Sequence, residues 1–201
     1  MIGIDFDNTI VSYDKVFHKI AVESGYIPSK FPISKIKIRD YLRKHSVEDK
    51  WTEMQGLVYG PRMKDAYPFK GVSKFFRRCF EKNIKISIIS HRTIHPYIGK
   101  KYNLHDSARN WILESGLAGI GGLIPEQIHF KTTKEDKIGQ ISSEKCDIFI
   151  DDLPEVLSSP GFPENVKRIL FDPNDLFRDE TRFFRAQTWN EIEKMIFNTT
   201  N

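Results

Sequence analysis

Apolar residues fall along this chain in two rhythms. Short runs rich in Ile and Phe occupy residues 2–6, 84–89, 148–150 and 168–171, with a weaker run at 128–130. Each has the length of a buried strand. Between these runs the apolar positions recur at helical spacing. The segment GVSKFFRRCFEK, residues 71–82, places apolar side chains at 72, 75, 76, 79 and 80, the stripe of an amphipathic helix. Residues 105–116 put Ala108, Trp111 and Ile112 on one face and stop at a glycine, a frequent helix end. Residues 135–142 form a shorter helical candidate, and 189–197 predict a final amphipathic helix. Strands alternating with helices predict an α/β fold built on a doubly wound, mainly parallel sheet.

Residues 11–66 break the alternation. They hold no convincing central strand; 14–24, 35–44 and 47–59 read as helices around a loop with Pro28 and Pro32. Such a length of helical character is too great for an ordinary crossover between strands. The pattern therefore predicts a core of residues 1–10 and 67–201, with a helical lobe inserted at 11–66. The stretch AGIGGL, residues 118–123, reads as a glycine-rich turn. It is not G-x-G-x-x-G after a strand, so a dinucleotide site is not expected.

Composition narrows the class. With 39% hydrophobic and 29% charged residues among 201, the chain is expected to be globular rather than disordered. No run approaches the roughly 20 apolar residues of a membrane span. The N-terminus runs directly into a strand, so no secretory leader is expected and the cytoplasm is the expected compartment. Cys79 and Cys146 match no zinc spacing and are expected to be buried, reduced thiols. A net charge of +4 suits an anionic substrate, but it is too diffuse to predict a nucleic-acid partner. Oligomeric state is left open.

The chemistry gathers at strand ends. Asp5 and Asp7 close the first apolar run, in MIGIDFDNT. Residues two apart on an extended segment share a side, so the two acids would share a pocket if that geometry persisted through them. A second pair, Asp151-Asp152, directly follows CDIFI. Ligands of open parallel sheets collect beyond the carboxyl ends of the strands. Converging carboxylates there repel one another unless a cation lies between them, and they suit Mg²⁺, a hard cation with oxygen ligands. A third run ends at Ser90, whose hydroxyl can donate to a phosphate oxygen. Lys134 and Lys137, near the start of the helix before Asp151, can neutralise further charge. Mg²⁺, a lysine and a hydroxyl around one aspartate make a site for phosphoryl transfer.

These segments, in this order, resemble the four motifs of the haloacid dehalogenase-like (HAD) hydrolase superfamily. DFDNT resembles its first motif, Asp-x-Asp-x-Thr; IISHRT its second; TTKEDKIGQI its third; and IFIDDLPE its fourth. The lobe at 11–66 lies where members with a helical cap carry it, and DAYPFKGV resembles the return to the core. The resemblance implies a Rossmann-like core with a small helical cap. It implies that Asp5 is the nucleophile, forming an aspartyl-phosphate, and that Asp7 is the general acid and then the base. It implies Mg²⁺ held by Asp5, by the backbone carbonyl of Asp7, and by Asp151 or Asp152. Thr9, Asn8, Ser90 and Lys134 would contact phosphate, with His91 and Arg92 either at the substrate mouth or in a solvated loop. Lys134 has the family spacing to Ile138 and Ile141, but Lys137 lies 14 residues before Asp151 against 17 for Lys134; both stay open as the active-site lysine. The presence of Asp7 argues for a phosphatase, since members that dehalogenate lack the second acid.

The leading expectation is a Mg²⁺-dependent phosphatase of a small phosphorylated metabolite, a nucleotide or sugar phosphate, somewhat similar to small 5′-nucleotidases. Alternatives are a nucleic-acid 3′-end phosphatase and a non-catalytic phospho-ligand-binding protein on the same fold.

Overall fold

Every apolar run read from the sequence becomes a strand of one six-stranded sheet in the computed structural model, which describes residues 1–197. The strands are β1 (Ile2–Ile4), β4 (Ile86–His91), β5 (Ile128–Lys131), β6 (Ile148–Asp151), β7 (Lys167–Phe171) and β8 (Phe184–Ala186). A further two-stranded ladder pairs β2 (Val11–Ser12) with β3 (Tyr67–Pro68). The helices are α1 (Asp14–Glu23), α2 (Lys35–Lys44), α3 (Glu48–Tyr59), α4 (Val72–Glu81), α5 (Leu104–Glu114), α6 (Leu117–Gly121), α7 (Lys134–Ser143), α8 (Pro154–Leu157) and α9 (Trp189–Phe197).

The large sheet runs β5-β4-β1-β6-β7-β8 and all its neighbours are parallel. This is the expected α/β Rossmann-like fold. The order reverses at β1, so the carboxyl ends of β1, β4 and β6 border a switch point, where ligands of such sheets bind. Register pairs Ile4 with both Ile88 and Ile150, and Gly3 with Phe149. Side chains alternate between faces. Ile89, Phe149 and Leu170 therefore share one face, where they form a core with Ile138 and Ile141 of α7 and Val156 and Leu157 of α8. Gly3 lies on that face because a Cβ there would come within 2.6 Å of the Phe149 ring and 2.7 Å of Cys146 Sγ. Phe75 of α4, Phe171 of β7 and Trp189 of α9 form an aromatic cluster elsewhere in the same unit.

The chain divides into a sheet unit (Met1–Val11, Pro68–His91 and Ser115–Asn201) and a helical unit (Ser12–Tyr67 and Arg92–Glu114). The sequence pattern assigns all of 67–201 to the core; the structure instead groups Arg92–Glu114 with the inserted helices. The side chains show why. The Arg92 guanidinium donates to the carbonyls of Tyr59, at 2.8 Å, and Leu104, at 3.1 Å. The Trp111 indole donates to the Ala66 carbonyl at 3.0 Å. Within this unit Phe17 stacks on Trp51 and meets Tyr59 edge-on.

Two further elements differ from the sequence reading. The glycine-rich stretch read as a turn contains a short helix, α6, whose Leu117 and Ala118 are buried; tertiary packing against α4 outweighs its low helical propensity. β8, a three-residue edge strand with an exposed Phe184, carries too short a pattern to announce itself. Cys79 and Cys146 are buried free thiols, and burial pushes them up to about 12 and about 11 respectively. Both stay protonated and inert. Among the described residues no helix is long and apolar enough to cross a membrane.

Candidate active site

The first acid is placed by the sheet. β1 ends at Ile4, yet the Asp5 amide still donates to the Ile150 carbonyl at 2.9 Å. The ladder thus carries Asp5 to the switch point and buries it. Extended geometry does not persist through Asp7. The chain folds into a tight loop in which the amides of Ile10 and Val11 both donate to the Phe6 carbonyl, at 3.0 and 3.1 Å. Asn8 adopts φ 60° and its amide donates to Val11, a left-handed position that asparagine tolerates better than most residues. The loop returns Thr9, fully buried, beside Asp5. Asp7 is half-buried and bridges Val11 through its backbone.

β6 and β4 supply the rest. Asp151 ends β6 with no exposed surface, and its Oδ1 accepts the Leu153 amide at 3.0 Å. The Ser90 hydroxyl donates to Asp5 Oδ1 at 2.9 Å. The same oxygen accepts from Lys137 Nζ at 2.6 Å, and that ammonium also donates to Asp151 Oδ2 at 2.6 Å. Thr9 Oγ1 lies 3.4 Å from Asp5 Oδ2 and 3.5 Å from Asp152 Oδ1, sharing one proton between two carboxylates. Asp5 is therefore held hard at Oδ1 and loosely at Oδ2.

The two lysines are placed differently. Lys134 opens α7 half-buried and is not part of this cluster; Lys137, one turn on, is 2% exposed and bridges two acids. The other expected residues make the following contacts. The exposed His91 ring makes a 3.0 Å hydrogen bond with the Thr132 carbonyl. Arg92 is buried in the helical unit, on the carbonyls of Tyr59 and Leu104. Asn8 shapes the loop through its backbone. The Leu153 amide on Asp151 left no trace in the sequence, because any residue there offers the same N–H.

Burial penalises the lone Lys137 charge, but the Asp151 and Asp5 carboxylates outweigh it and hold the ammonium above its ordinary range. Burial raises Asp151, the nearby Asp5 charge adds to the rise, and Lys137 opposes it. Asp5, Asp151 and Asp152 each place an oxygen within 4.8 Å of the others. Asp5 and Asp151 share one ammonium, and Asp152 adds a third carboxylate beside them. An all-oxygen donor set of this kind fits a divalent hard cation such as Mg²⁺. The Asp7 carboxylate stands outside this triad.

No protein-family model matches the chain, and no curated protein matches it in sequence. Solved structures do match. A HAD-superfamily hydrolase from Ehrlichia chaffeensis superposes with a TM-score of 0.57 at 14% identity, over 100% of this chain and 97% of its own. A HAD hydrolase of family IA, variant 3, from Entamoeba histolytica gives 0.58 at 16% identity, over 97% of this chain and 96% of its own. A candidate phosphoglycolate phosphatase from Lactobacillus delbrueckii subsp. bulgaricus gives 0.55 at 13% identity, over 97% of each chain. The chain has the fold of the HAD-like hydrolases.

Proposed function

We propose that this protein is a Mg²⁺-dependent phosphatase that hydrolyses a phosphomonoester of a small metabolite through an aspartyl-phosphate on Asp5. The observation that carries the reading is the Lys137 ammonium 2.6 Å from both Asp5 and Asp151, with Ser90 on the same Asp5 oxygen. This arrangement aligns one buried carboxylate and neutralises charge around it, which is most of what phosphoryl transfer asks of a protein. The HAD hydrolases that share the fold, one of them a candidate phosphoglycolate phosphatase, support a phosphatase.

Asp5, Asp151 and Asp152, with the Asp7 carbonyl, would hold Mg²⁺. When bound, the ion would offset charge on the transferring phosphoryl group. The loosely held Asp5 Oδ2 attacks phosphorus while Asp7 gives a proton to the departing alkoxide. The products are the free alcohol and the acyl phosphate. Asp7 then takes a proton from water, whose oxygen attacks phosphorus and releases inorganic phosphate and the Asp5 carboxylate. Ser90 and Lys137 keep Asp5 oriented through both steps. We assign the choice of substrate, a nucleotide or sugar phosphate, to the helical unit, which would act as a cap.

The test is turnover of p-nitrophenyl phosphate with Mg²⁺ and with excess chelator. The expected result is hydrolysis that chelation abolishes and Mg²⁺ restores. Asp5→Asn, nearly isosteric, is expected to fold normally and to lose at least about 10³-fold in kcat. Folded wild-type protein inert toward a broad panel of phosphomonoesters would overturn the proposal.

A further inference from the structure

The loop that carries Thr9 is tied to the far end of the chain. Trp189, the first residue of α9, is 1% exposed, and its indole N–H donates to the Thr9 backbone carbonyl at 3.1 Å, 180 residues away. A buried indole N–H needs an acceptor, and a carbonyl turned out of the ladder in a tight loop needs a donor. Each answers the other. The ring packs against Phe75 at 5.0 Å and Phe171 at 5.9 Å, and Gly71 lies against the base of the side chain, where a Cβ would come within 2.9 Å of Trp189 Cβ. Gly71 also has φ +101°, a conformation open to glycine. The helix behind the ring is fastened in turn, because Glu193 pairs with Arg78 and Lys74 of α4.

At its other end Thr9 meets the site. Its hydroxyl is the group shared between Asp5 Oδ2 and Asp152 Oδ1. We infer that Trp189 is a positioning residue: by holding the Thr9 carbonyl it sets where the Thr9 hydroxyl stands between two carboxylates of the acidic triad. This extends the phosphatase reading and rests on it for its effect on rate. The positioning itself is independent of that reading. Nothing in the pattern of a terminal amphipathic helix marks its first tryptophan as part of the site.

The test compares Trp189→Phe, which keeps an aromatic ring and removes the N–H, with Phe75→Leu, which loosens the same aromatic cluster and leaves the N–H. Trp189→Phe is expected to lower kcat on p-nitrophenyl phosphate about tenfold with KM within twofold, and to weaken Mg²⁺ binding by calorimetry. It is also expected to speed amide exchange at residues 8–11. Phe75→Leu keeps the N–H donor and is expected to lower Tm while changing kcat, Mg²⁺ affinity and loop exchange much less than Trp189→Phe does. If both variants lose Tm alike while kcat, Mg²⁺ affinity and loop exchange stay at wild-type values, Trp189 is core only and the inference is overturned. Should Trp189→Phe not fold, the wild-type indole Nε1–H serves instead. In protein that calorimetry shows to bind Mg²⁺, the indole NMR resonance is expected to shift on saturation, and an unmoved resonance there overturns the inference. A wild-type protein without phosphatase activity, but with the faster loop exchange in Trp189→Phe, would sink the enzymatic reading and leave the positioning intact.

Discussion

At the scale of single residues, the site turns on one ammonium between two buried acids. Removing such an ammonium leaves the buried acids without their ion-pair partner, and typically costs about 3–5 kcal/mol. Lys137→Gln is therefore expected to lower stability by about 3 kcal/mol in denaturant unfolding and to drop kcat by at least about 10²-fold. Lys134→Gln, changing a half-buried side chain outside the cluster, is expected to stay within about 0.5 kcal/mol and threefold of wild type. Equal losses in the two variants would contradict the geometry. The comparison also shows what the sequence lacked. Lys134 and Lys137 are three apart, so both lie on one side of α7, and motif spacing cannot separate them. The difference is depth: Lys137 sits one turn further in, beside Ile138 and Ile141 of the core.

At the scale of elements, what was legible depended on how much of an element's stability its own pattern carries. α4 and α9 show strong apolar stripes, and both stand within a residue of where the pattern puts them. β8 and α6 are stabilised by neighbours distant in sequence, so their local patterns are weak. Asp5, Ser90, Asp151 and Asp152 were legible because polar residues ending apolar runs are conspicuous. The shape of the Asp7 loop was not, since it follows from backbone hydrogen bonds that many sequences could make. The Glu193 clamp on α9 makes a testable case of element-level energetics. Burial raises the Glu193 carboxyl, but hydrogen bonds from Arg78 and Lys74 outweigh this and leave it below its usual value of 4.5. A folded value below the unfolded one means stability present above about pH 4.5 and lost as pH falls through the folded value. Glu193→Gln is expected to cost about 1–2 kcal/mol at pH 7. It should also flatten the wild-type decline between about pH 5 and 3, measured by urea unfolding at each pH. A parallel decline in both proteins would remove Glu193 from the acid response.

At the scale of the whole molecule, the two units share one chain that passes between them four times, after residues 11, 67, 91 and 114. The triad of Asp5, Asp151 and Asp152 nevertheless belongs entirely to the sheet unit. A ligand that binds only the folded state stabilises it by RT ln(1 + [L]/Kd), about 2.7 kcal/mol at a hundredfold excess over Kd. For a chain of this size that corresponds to roughly 5–10 °C in Tm. Calorimetric scans with rising Mg²⁺ are thus expected to raise Tm by this amount when the chain melts as one and by more when the sheet unit melts separately, with NaCl of equal ionic strength as the control for general screening. If the units melt separately, only one transition should move directly with the ion. If they melt together, the single transition should move by less, because the same free energy is spread over a larger unfolding entropy. Asp152→Asn removes one carboxylate of the triad from a half-buried position, so it is expected to abolish most of the shift while leaving the Mg²⁺-free Tm within a few degrees. A full Mg²⁺ shift in that variant would place the ion elsewhere, and with it the charge balance on which the phosphatase reading depends.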